Sequence, residues 1–548
     1  MLFWRPVLVL LGTYCGLVAT SPFNNNVAPT VTLDNATITG VASGSVNKWL
    51  GIPFALPPIG SLRFQLPTPI PPYNTNYSAT AYGPACPQQA LTLPIPPGLP
   101  AETLDYLTNT IYNIVIPSAE DCLTLNVVVP ADATPESNFP VVVWIFGGGF
   151  ETGATSLYDG SAIVNKAIDL NLPTVYVSMN YRLTAFGFLA SEEVKQAGVG
   201  NLGLQDQRQA MRWIQQYISA FGGDPTKVTI WGESAGAISV ALHMVTNGGD
   251  TEELFRAAFM ESGSPIPVGD ITHGQGYYDF IVNQTGCAGS SDTLDCLRDV
   301  PYDTLMDVVN QTPNLFSYQS LAFVWLPRVD GVFLTANPQD LVLQGSVANI
   351  PFITGDCDDE GTLFSLSSLN ITMDSQFQEF LQTYWYPNAP IPAVQQLMEY
   401  YPEDITRGSP FNTGPLNALT TQFKRIAAFQ GDTVFQAPRR FFLEQRSDQQ
   451  NTWAFLSKRL KAVSILGSFH TSDLSNVYNG GDMASYLVRF VNNLDPNGVG
   501  DLTWPKWTSN SPNLLTFLDG LIPQEITQDT YRAEEMAYMT NMSLQYPI

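Results

Sequence analysis

The chain has 548 residues, of which 45% are hydrophobic and 11% aromatic, so it is long and apolar enough to bury a large core. Its formal net charge at pH 7 is −25, which argues against nucleic acid and anionic membranes as partners because both would repel it. No long Gly/Ser tract, charge block or repeat divides the sequence. We therefore predict one large domain with insertions over residues 21–548.

The N-terminus has the features of a secretory signal peptide. Arg5 precedes an apolar run from Val7 to Ala19, and small residues follow that run. The run is too short for a membrane span, and no other stretch reaches transmembrane length. We therefore predict a signal peptide at residues 1–20, secretion into the medium, and no transmembrane segment. Export agrees with the sequons for N-glycosylation at Asn35, Asn76, Asn283, Asn310, Asn370 and Asn541.

The cysteines also fit an exported protein. There are 6 of them, and Cys15 would leave with the signal peptide, so an odd number remains and one must be unpaired. Local spacing favours the pairs Cys86–Cys122 and Cys287–Cys296, with Cys357 as a buried thiol. The sequence alone leaves other pairings open.

An amphipathic helix is predicted inside the segment that the first pair would close. Ala101–Val115 places Leu104, Leu107, Ile111 and Ile114 at spacings of three and four. On this pattern alone, an ordinary surface helix packed on the core is the simpler interpretation.

A fully apolar strand is predicted over Val141–Phe146, and three glycines follow it at once. Gly147, Gly148 and Gly149 allow a turn whose backbone N–H groups point into one cavity, an arrangement that can bind an oxyanion. A plain tight turn is the alternative.

Further along, apolar strands alternate with helical patterns, which predicts a mainly parallel sheet of the α/β class. The other predicted strands are Thr174–Tyr181, Val228–Trp231, Phe259–Ser262, Ile350–Thr354 and Thr452–Ser457. The predicted helices are Gln205–Phe221, Asp279–Asn283, Ser375–Trp385, Leu416–Phe429 and Thr433–Arg446.

The sequence Gly-Glu-Ser-Ala-Gly at residues 232–236 lies between an apolar strand and a helix-compatible run that extends to Val245. In this context a G-x-S-x-G sequence presents the serine hydroxyl at a helix N-terminus, where backbone N–H groups favour developing negative charge. Gly232 and Gly236 allow the close approach that such a turn requires. Ser234 is therefore the candidate nucleophile, and a chance match in a chain rich in Gly and Ser is the alternative.

The base must come from the 3 histidines of the chain. His243 lies on the predicted helix after Ser234, about two and a half turns further on, so it cannot fold back to the hydroxyl. His273 follows in a glycine-rich loop. Enzymes with this serine motif place an Asp or Glu between the serine and the histidine. Only His470 leaves ample room for that acid.

The acid is expected at the end of a strand, and Pro351–Gly355 reads as a buried strand. The carboxylates that follow it are Asp356, Asp358, Asp359 and Glu360. Any one of them could hold an imidazole in the correct tautomer. The choice stays open on these residues alone, with surface-exposed acids as the alternative for the other three.

Two longer segments resemble signatures of a known family. Residues 221–236, Phe-Gly-Gly-Asp-Pro-Thr-Lys-Val-Thr-Ile-Trp-Gly-Glu-Ser-Ala-Gly, resemble the serine signature of the type-B carboxylesterases, and Glu-Asp-Cys-Leu-Thr-Leu-Asn-Val at 120–127 resembles the second signature. This family includes cholinesterases, carboxylesterases and fungal lipases. Further segments are similar to the yeast-type extracellular lipase and sterol esterase branch, at residues 144–151, 356–361, 404–411, 456–458 and 467–473.

The resemblance implies an α/β-hydrolase fold, in which a mixed, mostly parallel sheet is flanked by helices and carries a lid and helical insertions. It implies that Ser234 is the nucleophile, Glu360 the acid and His470 the base. The implied oxyanion donors are the N–H groups of Gly148, Gly149 and Ala235, and we expect Phe150 to contact the substrate.

The resemblance also bears on other parts of the chain. It implies disulfides Cys86–Cys122 and Cys287–Cys296, and it makes the loop 86–122 a mobile lid rather than an ordinary surface helix. It implies structural ion pairs between Arg63 and Glu120 and between Arg182 and Asp206. Substrate preference is expected to vary at the lid tip and in the loop Ser264–Gly276.

The expected activity is two-step hydrolysis of carboxylic esters through an acyl-enzyme, with no metal and no cofactor. The first hypothesis is a lid-gated lipase that acts on long-chain acylglycerols or sterol esters at a lipid–water interface. The second is a carboxylesterase for small soluble esters, without interfacial activation. The third is a catalytically inactive adhesion protein of the same fold, which usually lacks the nucleophile.

Overall fold

The computed structural model describes residues 28–109 and 116–547. The predicted signal peptide at residues 1–20 lies outside the described residues, as do residues 110–115 of the helix predicted over Ala101–Val115. Within the part of the chain that is described, none of the helices has the length and apolar character needed to cross a bilayer.

The strands are β1 Thr30–Leu33, β2 Ala36–Thr39, β3 Val41–Ser43, β4 Val46–Pro53, β5 Tyr77–Ser78, β6 Thr124–Pro130, β7 Phe139–Ile145, β8 Val175–Met179, β9 Gly223–Glu233, β10 Ala257–Glu261, β11 Phe352–Cys357, β12 Thr452–Ser457, β13 Asn513–Phe517 and β14 Gln524–Gln528. The α-helices are α1 Ala101–Thr108, α2 Ser161–Asp169, α3 Thr184–Phe188, α4 Glu192–Ala197, α5 Leu202–Tyr217, α6 Ala235–Val245, α7 Gln275–Gln284, α8 Thr293–Asp299, α9 Tyr302–Val309, α10 Pro338–Leu343, α11 Thr362–Ser365, α12 Asp374–Phe380, α13 Ile391–Tyr400, α14 Phe423–Gly431, α15 Ala437–Arg446, α16 Leu474–Tyr478, α17 Asp482–Asn493 and α18 Ala533–Gln545.

Most strands join one large sheet with the order β14-β13-β12-β11-β10-β9-β7-β8-β6-β4-β3. Neighbours from β8 to β13 pair in parallel, whereas β14 at one edge and β6, β4 and β3 at the other pair antiparallel. Strands β1, β2 and β5 form a small separate sheet. The prediction of a mixed, mostly parallel sheet flanked by helices is confirmed.

The predicted strands form because their apolar runs are buried along their whole length. The strand predicted over Thr452–Ser457 has the same bounds in the structure, and all its residues are buried. The strand predicted over Val141–Phe146 is observed as β7, which starts two residues earlier and ends one earlier. The run to Val245 after Ser234 is helix α6.

Two predicted helices differ from the observed ones for local reasons. The helix predicted from Leu416 begins only at Phe423, where the hydroxyl of Thr420 accepts a hydrogen bond from the Phe423 backbone N–H at 3.0 Å and caps the helix. The helix predicted from Thr433 does not begin there, because α14 continues through a wide π-helical turn over residues 432–436 directly into α15. Pro438 has no N–H and would clash with the carbonyl four residues before it, so the wider turn accommodates its ring.

Strands β7 and β9 are parallel neighbours in a register that fixes the position of the turns after them. Trp144 lies opposite Trp231, and their ring centroids are 4.2 Å apart. Tyr478 packs against both rings, at 5.3 Å from Trp144 and 5.4 Å from Trp231. Because Ile145 lies opposite Gly232, the glycine turn after β7 and the serine turn after β9 begin side by side.

The buried apolar residues form two clusters. The larger one surrounds the sheet. We call the smaller one the lid-side cluster because it includes Leu107 of α1, together with Leu315, Phe364, Phe429 and Phe469. Helix α1 therefore packs on a second core region, apart from the one that surrounds the sheet.

The disulfides and ion pairs implied by the resemblance are present. Cys86 is bonded to Cys122 and Cys287 to Cys296, and the thiol of Cys357 is free and buried. Arg63 pairs with Glu120 at 2.6 Å, and Arg182 pairs with Asp206 at 2.7 Å. The Arg182 side chain is 3% exposed and that of Asp206 0%, so this pair is removed from water.

The Arg182–Asp206 pair gives a prediction about stability. Arg182 donates to Asp206 through its side chain and its backbone N–H, so Arg182→Met would leave a buried carboxylate without its main partner. We expect the free energy of unfolding to fall by about 3–5 kcal/mol, measured by urea denaturation. The control is Arg212→Met, whose half-exposed pair with Glu252 should contribute less than about 1 kcal/mol. Equal losses in the two variants would contradict the argument.

Candidate active site

Ser234 occupies a tight turn between β9 and α6. Its φ of 55° lies in the left-handed region, which costs an L-residue about 1–2 kcal/mol. The turn closes only because its flanking residues are glycines: a Cβ on Gly236 would lie 1.9 Å from the carbonyl oxygen of Ile145, and one on Gly232 would lie 2.5 Å from the Gly236 carbonyl carbon. Ser234 N–H donates to the carbonyl of Glu261 at 2.9 Å, so the neighbouring strand holds the strained residue in place.

A chain of hydrogen bonds joins Ser234 to His470 and Glu360. The hydroxyl of Ser234 is 2.8 Å from Nε2 of His470, and Nδ1 of His470 is 2.5 Å from Oε2 of Glu360. With its proton on Nδ1, the imidazole donates to the carboxylate and accepts from the serine. Oε1 of Glu360 accepts from the hydroxyl of Ser262 and from the backbone N–H of Cys357, each at 2.6 Å. The structure thus brings the three predicted residues into direct contact.

These residues meet because the strands before them are parallel neighbours. Strands β9, β10, β11 and β12 are adjacent in the sheet, so their carboxyl ends lie at one edge. Ser234 follows β9, Ser262 follows β10, Glu360 lies in the loop after β11, and His470 lies in the loop after β12. Ser262 was not predicted as a site residue, although a polar residue at the end of a predicted strand was a usable signal.

The other histidines lie elsewhere, as expected. His243 is buried on α6, and its Nε2 is 2.8 Å from the amide oxygen of Gln207. His273 is exposed and lines a surface groove with Tyr277 and Phe280.

The structure also distinguishes the four candidate carboxylates, of which Asp356 lies within β11 and the others follow it, because only Glu360 reaches the imidazole. The expectation that the other three are surface acids is wrong, since all of them are buried. Asp356 accepts from Arg439 at 2.7 Å, and Lys461 contacts Asp358 at 2.5 Å and Asp359 at 2.6 Å. A buried carboxylate needs such a cation to offset its lost hydration, and sequence reasoning could not see these distant partners.

Burial sets the protonation of the hydrogen-bonded chain. It lowers the pKa of His470 to about 4, so the imidazole is neutral at neutral pH and Nε2 is free to accept a proton. Burial also raises the pKa of Glu360, while the hydrogen bonds from Ser262 and Cys357 oppose that rise by stabilising the carboxylate. The phenyl ring of Phe435 lies 4.6 Å from the imidazole and helps to exclude water.

Further buried acids surround this chain, and the sequence did not reveal them as a group. Glu233, next to the serine, has Oε1 at 3.3 Å from Nε2 of His470. Burial raises the pKa of Glu233 and of Glu261 well above the usual range, and that of Asp473 to about 6. A protonated Glu233 adds no second negative charge beside the imidazole. Among the described residues, no group of three or more His, Cys, Asp or Glu side chains could hold a metal ion.

The glycine turn after β7 lies directly against the serine turn. A Cβ on Gly147 would lie 2.7 Å from Cβ of Ser234. Gly148 and Gly149 have φ of 110° and 64°, values that favour glycine. None of the hydrogen bonds between described backbone groups uses the N–H of Gly148, Gly149 or Ala235. These three groups are therefore available to an anionic ligand atom.

Phe150, which was expected to contact the substrate, is fully buried. Its ring packs against Phe188 with centroids 4.8 Å apart, and its carbonyl accepts from the Thr184 N–H at 2.8 Å. These contacts anchor the far side of the glycine turn to the core. A substrate contact of Phe150 stays a prediction.

The loop closed by Cys86 and Cys122 packs its helix α1 onto the segment that leads to His470. The Thr103 hydroxyl donates to the carbonyl of Ser464 at 2.8 Å, and the ring of Tyr106 meets the ring of Phe469 edge-on at 5.7 Å. Leu107 is buried in the lid-side cluster, whereas Leu104 on the outer face of α1 is 40% exposed.

An apolar pocket lies beside the two turns. Its lining is Ile266, Pro267, Leu321, Phe323, Leu326, Thr433 and Val434. Phe323 reaches the glycine turn, since a Cβ on Gly149 would lie 3.1 Å from its ring. Gly263, just before Ile266, lies against the carbonyl of Ser234. Phe323 therefore connects this pocket to the glycine turn.

The geometry agrees with comparisons to known proteins. The model of the carboxylesterase family matches residues 27–539. The chain belongs to the carboxylesterase family. The prediction of a carboxylic ester hydrolase is confirmed by this membership and by the named lipases among the relatives of the chain.

Relatives within the carboxylesterase family include yeast and fungal lipases, as the resemblance implied. Lipase 4 of Diutina rugosa is 43% identical over 503 residues, which cover 88% of this chain and 90% of that protein. Secreted lipase 1 of Botryotinia fuckeliana is 42% identical over 528 residues, or 92% of each chain. The secreted triacylglycerol lipase LIP1 of Gibberella zeae is 40% identical over 528 residues, or 92% of this chain and 89% of that protein.

Solved structures of the carboxylesterase family share the fold. The crystal structure of Aspergillus niger EstA superposes with a TM-score of 0.80 and 28% sequence identity, covering 95% of this chain and all of that chain. A thermophilic pNB esterase superposes with a TM-score of 0.75 and 27% identity over 94% of this chain. The predicted α/β-hydrolase fold is thereby confirmed.

The tight turn at Ser234 predicts that a side chain at Gly236 would destabilise the protein. Gly236→Ala would place its Cβ 1.9 Å from the backbone oxygen of Ile145, which cannot move without disturbing β7. We expect a loss of about 3 kcal/mol or more in the free energy of unfolding, measured by chemical denaturation. Gly276→Ala, in a helix and with no atom within 4 Å of its new Cβ, is the control and should be neutral or stabilising. A stable Gly236→Ala variant would contradict the described turn.

Proposed function

We propose that the protein is a serine ester hydrolase in which Ser234 is the nucleophile, His470 the base and Glu360 the acid. The observation that carries this proposal is the unbroken hydrogen-bonded chain from the Ser234 hydroxyl through His470 to Glu360, with free backbone N–H groups beside it. Nucleophile, base and orienting acid in that order are what acyl transfer requires.

In the acylation step, His470 takes the proton of Ser234 as the hydroxyl attacks the ester carbonyl. The backbone N–H groups of Gly148, Gly149 and Ala235 bind the oxyanion that forms, and loss of one such donor typically costs about 3–4 kcal/mol of transition-state stabilisation. Glu360 stabilises the imidazolium and fixes its orientation.

His470 then protonates the leaving alcohol, which frees the acyl-enzyme from the first product. In deacylation the same imidazole removes a proton from water, and the carboxylate of Glu360 again balances its charge. The neutral imidazole needed at the start of each step follows from the lowered pKa of His470. We propose that no metal or cofactor takes part.

The substrate is proposed to be a long-chain acylglycerol or a sterol ester. The apolar pocket beside Gly149 has a volume of only about 20 Å³, and we propose that it widens when the lid opens and then receives the acyl chain. Ile266 and Pro267 bring the loop Ser264–Gly276 into its wall. Relatives of the chain are named lipases, including one named as a triacylglycerol lipase. A carboxylesterase for small soluble esters is the alternative, and the rate experiment below separates the two.

We propose that the loop 86–122 is a lid that covers the site in water. Opening it would break the Thr103–Ser464 hydrogen bond and expose Tyr106 and Leu107, at a cost that a lipid surface could offset by taking up these side chains. Ser234 is 7% exposed and His470 is fully buried in the present arrangement, as expected for a covered site.

The export of the protein and its domain organisation are also proposals. We propose a signal peptide at residues 1–20, a single domain over 21–548, and secretion, because two of the relatives carry the word secreted in their names. All six sequon asparagines are exposed, so each is open to glycosylation.

The nucleophile is tested by Ser234→Ala. We expect hydrolysis of p-nitrophenyl butyrate to fall by about 10⁴- to 10⁶-fold, with the thermal midpoint unchanged, because only the attacking oxygen is lost. A fluorophosphonate should label wild-type Ser234 and leave the variant unlabelled, as read by peptide mass. Ser239→Ala, a buried serine on the same helix that hydrogen-bonds Ala235, is the matched control and should keep its activity. Turnover by the pure Ser234→Ala variant comparable to that of the wild type would contradict the proposal.

The lid is tested by measuring rate against substrate concentration across the solubility limit of tributyrin. We expect a jump in rate when the ester forms an interface. Thr103→Val removes the hydrogen bond to Ser464, worth about 1 kcal/mol, and should raise hydrolysis of a soluble short ester by up to about fivefold while reducing the jump.

Glu102→Gln, on the exposed face of the same helix, serves as the control for the lid variant. Smooth saturation in the wild type, with the short ester preferred, would leave the site intact but favour the carboxylesterase alternative. Identical behaviour of Thr103→Val and Glu102→Gln would mean that this hydrogen bond does not hold a lid closed.

A further inference from the structure

Asp359, which the proposed mechanism does not use, has a carboxylate that accepts four hydrogen bonds in the interior. Its Oδ1 accepts from the hydroxyl of Ser409 at 2.9 Å and from the Phe411 N–H at 2.8 Å. Its Oδ2 accepts from the ammonium of Lys461 at 2.6 Å and from the Ser468 N–H at 2.9 Å. The residue is 1% exposed, so its carboxylate lies out of water, while Lys461 remains partly exposed.

These bonds connect the loop that carries Glu360 to the loop that carries His470. Asp359 immediately precedes Glu360, and Ser468 lies two residues before His470. The backbone adds a second link, since the Asp359 N–H donates to the Ser468 carbonyl at 3.0 Å. The relative position of the hydrogen-bonded side chains of Glu360 and His470 is therefore set by contacts directly next to them.

The loop that carries His470, here called the histidine loop, has space for the Asp359 carboxylate only because residue 467 is a glycine. Gly467 has φ of 60°, and a Cβ there would lie 2.2 Å from Oδ2 of Asp359. The hydroxyl of Thr362 gives a further link between the loops, because it donates both to the Asp359 carbonyl at 2.9 Å and to the Leu466 carbonyl at 2.7 Å. A side chain at Gly467 would force the two loops apart.

Lys461 supplies the positive charge of this cluster. Its ammonium lies between Oδ2 of Asp359 and Oδ2 of Asp358, at 2.6 Å and 2.5 Å. Both neighbouring aspartates reach the histidine loop through Lys461, but Asp358 makes no bond to Ser468, so of the two only Asp359 contacts a residue directly before His470. This difference offers a matched comparison between adjacent carboxylates of equal charge.

We propose that Asp359 is a positioning residue for the reaction: with Lys461, its carboxylate holds the acid loop and the histidine loop in the register that aligns Glu360 with Nδ1 of His470. This inference rests on the proposed function of Glu360 and His470. It predicts a loss in turnover rather than in substrate binding, because the apolar pocket contains none of the residues of the cluster.

The main test is Asp359→Asn, which keeps the shape but replaces one acceptor oxygen by an NH₂ group that faces donors. Hydrolysis of soluble p-nitrophenyl butyrate is measured as kcat per active site, counted by titration with a fluorophosphonate. We expect kcat to fall by about 10- to 100-fold with KM changed by less than about twofold, because displacements of the order of 1 Å in an acid–base pair have effects of this size.

Asp358→Asn is the matched control, and kcat should stay within about twofold of the wild type. Glu360→Gln should lose more than either, by about 10³- to 10⁴-fold, because it removes the acid itself. In case Asp359→Asn does not fold, Lys461→Met carries the test. Lys461 is 25% exposed at the edge of the cluster, and its loss should lower kcat by about 3- to 10-fold. Lys458→Met, three residues earlier, is its control.

The inference is overturned if Asp359→Asn and Lys461→Met lower the thermal midpoint but keep the wild-type kcat per titrated site, since the cluster would then be only structural. It is also overturned if Asp358→Asn loses as much turnover as Asp359→Asn. A wild-type protein that neither hydrolyses the ester nor reacts with the fluorophosphonate at Ser234 would instead defeat the proposed function, so the two failures are distinct.

Discussion

The parallel pairing of β7 with β9 is the constraint on which the site depends. Trp144 lies opposite Trp231 in this register with their rings in tilted contact, and the turns after the two strands therefore start at the same level. The contact between Gly236 and the carbonyl of Ile145 is closer than any side chain would permit. This proximity packs the glycine turn against the Ser234 turn, so the proposed oxyanion donors of Gly148 and Gly149 would act without rearrangement. Preorganised donors of this kind are the largest single source of catalysis in many enzymes.

The second requirement is to keep several carboxylates in the interior of an already acidic protein. The structure meets it with ion pairs that also fix loops: Arg439 contacts both Asp356 and Asp529, and Lys461 contacts Asp358 and Asp359. Because removing one member of a buried pair leaves a charge without hydration, these contacts tolerate little displacement. These ion pairs therefore restrain the loops that carry Glu360 and His470.

The lid-side cluster connects this rigid site to the segment that covers it. Phe469 belongs to the cluster, contacts Tyr106 of α1 and directly precedes His470. The same short stretch thus supports the covering helix on one side and the imidazole on the other. The proposed lid would open more easily at an apolar surface than in water, because its apolar side chains would find a new apolar environment there.

The sequence by itself determined the class of the sheet, the serine turn and the choice of His470, because apolar runs, glycine spacing and the scarcity of histidine are local or compositional properties. The number and spacing of the cysteines predicted the free Cys357, and the family resemblance implied the two ion pairs and singled out Glu360 among the four carboxylates. Only the tertiary structure showed that Glu360 contacts the imidazole, that Asp356, Asp358 and Asp359 are buried rather than exposed, and that Ser262 supports Glu360. These facts depend on cations and loops about 80–100 residues away along the chain (Arg439 lies 83 from Asp356, and Lys461 lies 102 from Asp359). Burial and pairing arise when such segments fold together, and no local pattern records them.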